Sequence, residues 1–498
     1  VQSLFEDASP RRWFSLAGLL PLLAEAAPDE FLTALETDLK LHSPNVTALF
    51  ANNTDGVFSS SPHVGLMWAL ALIAWDAAQL SRVAMALSSL IRIDTGNRSS
   101  PRPAGVLRDI FRFWCPQTAS STEERLQALD LLKKEDPTMA WPVLMSLVPR
   151  DHDMAMTLCK PRWREYDASQ FNNMTYANIH RQMDSTADYL IQLAADDCGK
   201  WCELLKAFPR FRKTAQDKIL NWFSQIDTDT LKADERLRMW DTVRSLVCQH
   251  RYFHDAEWAM PVAVVDELAK LEVKFTPTDP LDKSQWLFKG EIFRAFGNCQ
   301  TPFEDAERLK AEAQNEAVKE IFQKHGLAGV IRLASGAYSP YNIGASVVSQ
   351  GLIPDWRELL PELLMSSDCN ILLFARGYAG HRMSKEGDSW LNSLPIEEWR
   401  PDAVAELFLA SEVNKNTWET LRRRKPDAEP IFWERVHPYA GRLDDGEMEE
   451  AVRMLLKAGR PLAAVDALSM SIHSHKKPSW SLVADAIDLA SLKRANVQ

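Results

Sequence analysis

Ser121-Thr-Glu-Glu-Arg-Leu-Gln-Ala-Leu-Asp-Leu-Leu-Lys-Lys-Glu135, followed at once by Asp136-Pro-Thr-Met-Ala-Trp-Pro-Val-Leu-Met-Ser-Leu-Val148, decides the fold. Ser121 and Glu124 stand at the spacing of a capping box, in which the two side chains satisfy each other's backbone N–H at a helix start. Leu126, Leu129 and Leu132 recur at helical spacing, and Lys133 with Lys134 lie where cations favour the negative end of the helix dipole. Asp136-Pro137 then restarts a helix carrying Trp141, Leu144, Met145 and Val148, so the stretch reads as a helix hairpin.

The same grammar extends in both directions. Between Ala77 and Arg92 the bulky apolar residues fall at Leu80, Val83, Leu87 and Leu90/Ile91, one face of a helix and not a strand alternation. Near the end, Asp444/Asp445 cap a helix bearing Met448, Val452 and Leu455, stopped at Gly459. Pro461 opens its partner, on which Leu462, Val465 and Leu468 are expected to face back. Hairpins of roughly thirty residues are the units of helical solenoids. The expected fold is therefore all-α, a helical-repeat solenoid of tetratricopeptide- or HEAT-like hairpins with no significant sheet, although neither a full tetratricopeptide nor an ankyrin signature occurs.

At 498 residues the chain exceeds the length of one compact core. Two stretches interrupt the helical text. His42 to Pro62 is polar and reads as a loop or surface insertion, and Pro149 to Asn173 is charged and broken by proline, which marks a boundary or a functional segment. The expected blocks are 1–150, an irregular connection at 151–174, a middle block at 175–325 and a C-terminal repeat block at 326–498.

A net charge of -11 argues against general nucleic-acid binding, which requires a surplus of Lys and Arg. The longest apolar run, Val64 to Trp75, is too short to cross a bilayer. With no initiating Met, no signal-peptide pattern and seven irregularly spaced cysteines, the chain reads as a cytoplasmic piece of a longer protein, and the sequons at Asn45, Asn52, Asn97 and Asn173 as accidental.

Catalytic motifs are hard to find. The glycines from Gly326 and Gly329 to Gly336, Gly344 and Gly351 lack the strand and the lysine of a phosphate loop and read as helix ends and close helix contacts. Cys248, His250, His254 and Asp255 lack the second ligand pair of a metal site, so no metal and no cofactor is expected. Cys198 and Cys202 pack beside Trp201. Arg422-Arg-Arg-Lys425 reads as a helix end. Two Arg-to-His spacings, Arg244/His250 and Arg376/His381, match those of all-α ribonucleases at a frequency expected by chance. The candidate binding residues are Trp114, Gln117, Arg162, Trp163 and Arg164, because a tryptophan flanked by arginines in a loop has the make-up of an interface anchor. The opposing possibility is a buried strap, with Trp163 packed and both arginines paired to acidic helix ends.

Several phrases also follow one another in a familiar order: His63-Val-Gly-Leu-Met-Trp-Ala-Leu70, Ala74-Trp-Asp76, Leu107-Arg-Asp-Ile-Phe111 with Trp114-Cys-Pro-Gln-Thr118, Pro161-Arg-Trp-Arg-Glu165, Trp286-Leu-Phe288, Phe432-Trp-Glu-Arg-Val436 and Ala458-Gly-Arg-Pro-Leu462. Over most of its length the chain resembles the C-terminal helical region of large bacterial antiphage defence proteins of the STAND-like NTPase and sirtuin-associated kind. That resemblance implies a non-catalytic sensor or scaffold that binds a protein, such as a phage protein, or other domains of the same system, with oligomerisation open. A scaffold bridging subunits of another bacterial complex and an all-α ribonuclease are the alternatives.

Overall fold

The computed structural model describes residues 1–6, 8–50, 61–96, 101–150, 152–155, 159–167, 174–290, 295–352, 357–438 and 443–495, with side chains to 492 in the last helix. Helices make up 73% of the described residues and no strand occurs among them, so the fold is all-α. The chain divides into two compact units, Val1–Leu246 with Met260–Phe275, and Val247–Ala259 with Thr276–Gln498.

In the first unit the hairpin forms as its text dictates. Ser121 Oγ accepts from the Glu124 N–H at 3.2 Å, and Glu124 Oε2 accepts from the Ser121 N–H at 2.7 Å, closing the box that starts helix Thr122–Glu135. Leu126, Leu129 and Leu132 are buried. Asp136 caps helix Pro137–Leu147 through the Met139 N–H and also accepts from Ser88 Oγ at 2.9 Å and Arg92 Nη2 at 2.5 Å, tying the hairpin to helix Leu80–Ile93. Packing then passes along the chain: Leu80–Ile93 on Thr122–Glu135, that helix on Tyr176–Ala194, and Tyr176–Ala194 on Lys213–Gln225. Of the stretch at His42 to Pro62, residues 51–60 lie outside the described residues. Asn45–Leu49 forms a short helical turn that buries Val46, Leu49 and Phe50, held by the Asp38 carboxylate on the Val46 N–H at 2.8 Å.

In the second unit, helices Pro340–Ser349 and Cys369–Glu386 meet glycine to backbone. A Cβ on Gly344 would lie 2.2 Å from the Phe374 carbonyl oxygen, and one on Gly377 only 2.1 Å from that of Tyr341. Glu406, on helix Pro401–Leu409, links three layers. Its buried carboxylate accepts from Arg376 Nε at 2.7 Å and from Arg435 Nη1 at 2.6 Å, on helices Cys369–Glu386 and Glu429–Arg435. Trp418 and Trp433 are fully buried with ring centroids 5.5 Å apart. At the end of the chain Asp444 and Glu447 close a second capping box, and Gly459 takes φ +70° before Pro461. On helix Pro461–His473, Leu468 is buried and Val465 packs partly buried against the core as expected, together with Ala464 and Ala467, whereas Leu462 is half exposed.

Among the described residues no single helix is long and apolar enough to cross a membrane. Helices His63–Ile73 and Ala77–Ile93 reach that length only together, bent by 119°, and both place most of their apolar residues in the core.

Candidate functional site

The connection after Val148 carries three of the predicted binding residues, Arg162, Trp163 and Arg164, and it is irregular wherever it is described. It is pinned at three points. Asp153 pairs with the buried Arg112 at 2.6 Å. The Cys159 carbonyl accepts from Trp75 Nε1 at 3.0 Å, while Lys160 Nζ lies 5.0 Å from the centre of the Trp75 ring and Tyr166 packs 4.9 Å from it. The third point is Glu25, which lies near the C-terminal end of helix Leu20–Ala26 and is only 6% exposed.

Glu25 Oε1 accepts from the backbone N–H of Arg162 and, at 2.6 Å, from that of Trp163. Arg164 Nε donates to the Glu25 carbonyl at 2.5 Å and Nη2 to the Ala26 carbonyl at 3.3 Å, satisfying acceptors that a helix end leaves open. The loop is thus fastened by its backbone, by Arg164 and by the packing of Tyr166 and Lys160 on Trp75, and it leaves the Arg162 and Trp163 side chains exposed. Trp163 is 69% exposed, and the Arg162 guanidinium makes no hydrogen bond or ion pair among the described residues. Beneath the loop a crevice of about 50 Å³, lined in part by Leu72, Trp75 and Tyr166, has room for water but not for a ligand.

Two features differ from expectation. Arg164 is committed to helix carbonyls and does not flank the tryptophan as a free cation. Gln117 is not a surface contact: it is 1% exposed, with its N–H on the Asp109 carbonyl and its amide on the Cys115 carbonyl at 3.3 Å. Trp114 is partly exposed beside Arg112, whose guanidinium carbon lies 5.2 Å from its ring. Burial alone would lower the Arg112 pKa, but the Asp109 and Asp153 carboxylates hold it above the ordinary arginine range. Since Asp153 belongs to the same connection, Trp114 is linked to the loop through Arg112.

The other candidates resolve into structural roles. His250 lies 5.5 Å from Trp258 and is buried, which holds its pKa below the ordinary value. Among the described residues no three His, Cys, Asp or Glu side chains are grouped to hold a metal. Arg244 and His250 lie six residues apart on one helix and Arg376 and His381 five apart, offsets of roughly 120° and 140° around the axis, so neither pair shares a face. Their partners differ as well: Arg244 is on Asp241, Arg376 on Glu406, and His381 Nε2 is 3.1 Å from Ser349 Oγ. In the basic run, Arg422 pairs with Glu429 at 2.8 Å and Arg424 donates to the carbonyls of Leu391 and Leu394. Gly344 makes a close helix contact, and Gly326 and Gly351 take positive φ at a helix kink and a helix end. None of the seven cysteines is in a disulfide, and Cys202 is buried one residue from Trp201, which stacks on Trp222 at 4.0 Å.

Glu25 had no sequence signal, since its partners are 137 and 138 residues away. No protein-family model, curated protein or solved structure matches the chain.

Proposed function

We propose that this chain is a non-catalytic helical-repeat region, a solenoid of tetratricopeptide- or HEAT-like hairpins, that serves as the sensor or scaffold part of a cytoplasmic bacterial antiviral defence protein and binds a protein ligand such as a phage protein. The observation that carries this reading is Trp163, held 69% exposed on a loop whose backbone is clamped by the buried Glu25 carboxylate. A large aromatic ring left in water gains when a partner covers it, and a loop already fixed loses little conformational freedom on binding. Arg162 beside it offers a fork of donors for a carboxylate or a carbonyl on the partner. The biological setting rests on the resemblance of the ordered phrases, such as Pro161-Arg-Trp-Arg-Glu165, to those of antiphage defence proteins.

The test is a plaque assay in bacteria expressing the full protein that carries this chain, as wild type and as Trp163→Ala, with thermal melts of both chains. Protection against at least one phage that is lost in the variant at unchanged Tm is the expected result. Absence of protection by the wild type across a broad phage panel overturns the defence reading, and protection unaltered by Trp163→Ala overturns the role of the loop.

A further inference from the structure

Helix Trp480–Ala495 of the second unit is apolar on two sides. Leu482, Ala486 and Ala490 are buried, and the helix packs on Pro461–His473 and Asp445–Lys457. Away from that face, Trp480, Ala484, Ile487 and Ser491 recur at steps of four, three and four residues, which makes one straight stripe on a helix. All four are exposed, Trp480 by 78% and Ile487 by 50%. At 3.6 residues per turn the stripe lies roughly 130° around the axis from the buried face. A helix that is hydrophobic all round is characteristically a covered one.

No charge interrupts the stripe. Ser491 Oγ donates to the Ile487 carbonyl at 2.9 Å, so its hydroxyl is satisfied within the helix and asks nothing of a partner. The exposed Asp485 and Asp488 lie roughly 130° and 70° around the axis from the stripe, at its rim, where water screens them.

We propose that a second copy of this chain covers the stripe, helix against helix and antiparallel about a two-fold axis. The spacing reads the same in both directions. A two-fold axis through its centre therefore sets Trp480 against the partner's Ser491, and Ile487 against the partner's Ala484. Each large side chain meets a small one, as close packing of two helices requires. An isologous contact demands this self-complementarity, whereas a contact with an unrelated protein does not. Trp480 alone brings roughly 200 Å² to the contact. With its neighbours the contact removes on the order of 500 Å² per copy, the low end for a specific interface, which suits a dimer with a Kd on the order of tens of micromolar. The stripe lies within the second unit, so the dimer is independent of Trp163 and of a phage ligand.

Sedimentation equilibrium of the full chain from about 1 to 200 µM is expected to show the 56.4 kDa monomer giving way to twice that mass and nothing larger. Ile487→Asp puts a carboxylate into both halves of the contact and is expected to raise Kd at least roughly tenfold. Ala484→Ile makes the stripe more apolar yet is expected to weaken the dimer, because two isoleucines then meet across the axis. Combining Ala484→Ile with Ile487→Ala sets isoleucine against alanine again and is expected to restore the affinity. Both positions are exposed, and melting curves of each variant check that the fold is intact. A mass that stays at 56.4 kDa throughout overturns the proposal and leaves the stripe to a different partner. Masses beyond two copies, a dimer unmoved by Ile487→Asp, or a double exchange no tighter than Ala484→Ile alone also overturn it. Tighter association of Ala484→Ile would mark a surface that is merely adhesive and overturn the two-fold register.

Discussion

Glu25→Ala separates the fastening of the loop from the stability of the unit beneath it. The carboxylate accepts two backbone N–H groups, from Arg162 and Trp163, and hydrogen bonds to a charged group contribute about 1.5–3 kcal/mol each. Both residues are exposed, so their amides regain water when released, which brings the contribution to the lower end of that range or below it: about 2–3 kcal/mol for the pair. The Arg164 bonds to backbone carbonyls survive the substitution, which keeps the loop near the surface. Removing a carboxylate that is nearly buried also relieves its own desolvation, so the global change is smaller than the local one. Amide hydrogen exchange at Trp163 is therefore expected to accelerate about 30- to 150-fold, each tenfold corresponding to about 1.4 kcal/mol. Tryptic cleavage after Arg162 should rise in parallel, while Tm moves by only a few degrees. Glu25→Gln, which keeps an acceptor oxygen, should fall between the two. Exchange at Trp163 as fast in the wild type as in Glu25→Ala would refute the clamp, and a collapse of Tm would show that Glu25 supports the core instead.

Two further outcomes follow from packing and charge. Gly377→Ala places a methyl 2.1 Å from the Tyr341 carbonyl and must push two helices apart, with an expected loss of at least about 2 kcal/mol by chemical denaturation. Gly336→Ala meets nothing within 4 Å and should stay within about 0.5 kcal/mol of wild type, so similar losses in both would contradict the close crossing. Burial holds the His250 pKa below its ordinary 6.5, so the folded chain keeps it neutral while the unfolded chain takes up a proton as pH falls. Its effect on stability is absent above about pH 6.5 and grows as a loss below it, down to the folded pKa. The denaturation midpoint should then drop less between pH 7.5 and 5.5 in His250→Phe than in the wild type, and equal slopes would contradict it.

The amino-acid sequence determined the helices and their ends, because the interactions that make them close within a few residues. Ser121 reaches Glu124, Asp136 reaches Met139 and Asp444 reaches Glu447, each three positions on, and such bonds form wherever the helix forms. The leucines of Thr122–Glu135 are legible for the same reason: helical periodicity puts them on one face whatever that face meets. The extent of a face is less secure, as Leu462 shows, since on a helix rich in alanine and leucine on several sides the neighbours decide which residue is covered. Tertiary structure alone decided the rest. Arg125 lies on the buried side of the capped helix, 1% exposed, with donors on Gln182, the Ser120 carbonyl and Thr122, and burial lowers its pKa to about 10. From sequence it is an ordinary helix-surface cation. Glu25, Glu406 and the glycine pair Gly344 and Gly377 are equally unmarked, because what defines each is a group 29 to 138 residues distant, brought near only when the helices pack. The outward pose of Trp163 belongs with them: the loop was legible as irregular from its prolines and charges, but which of its side chains faces water was settled by one buried carboxylate on a helix far upstream.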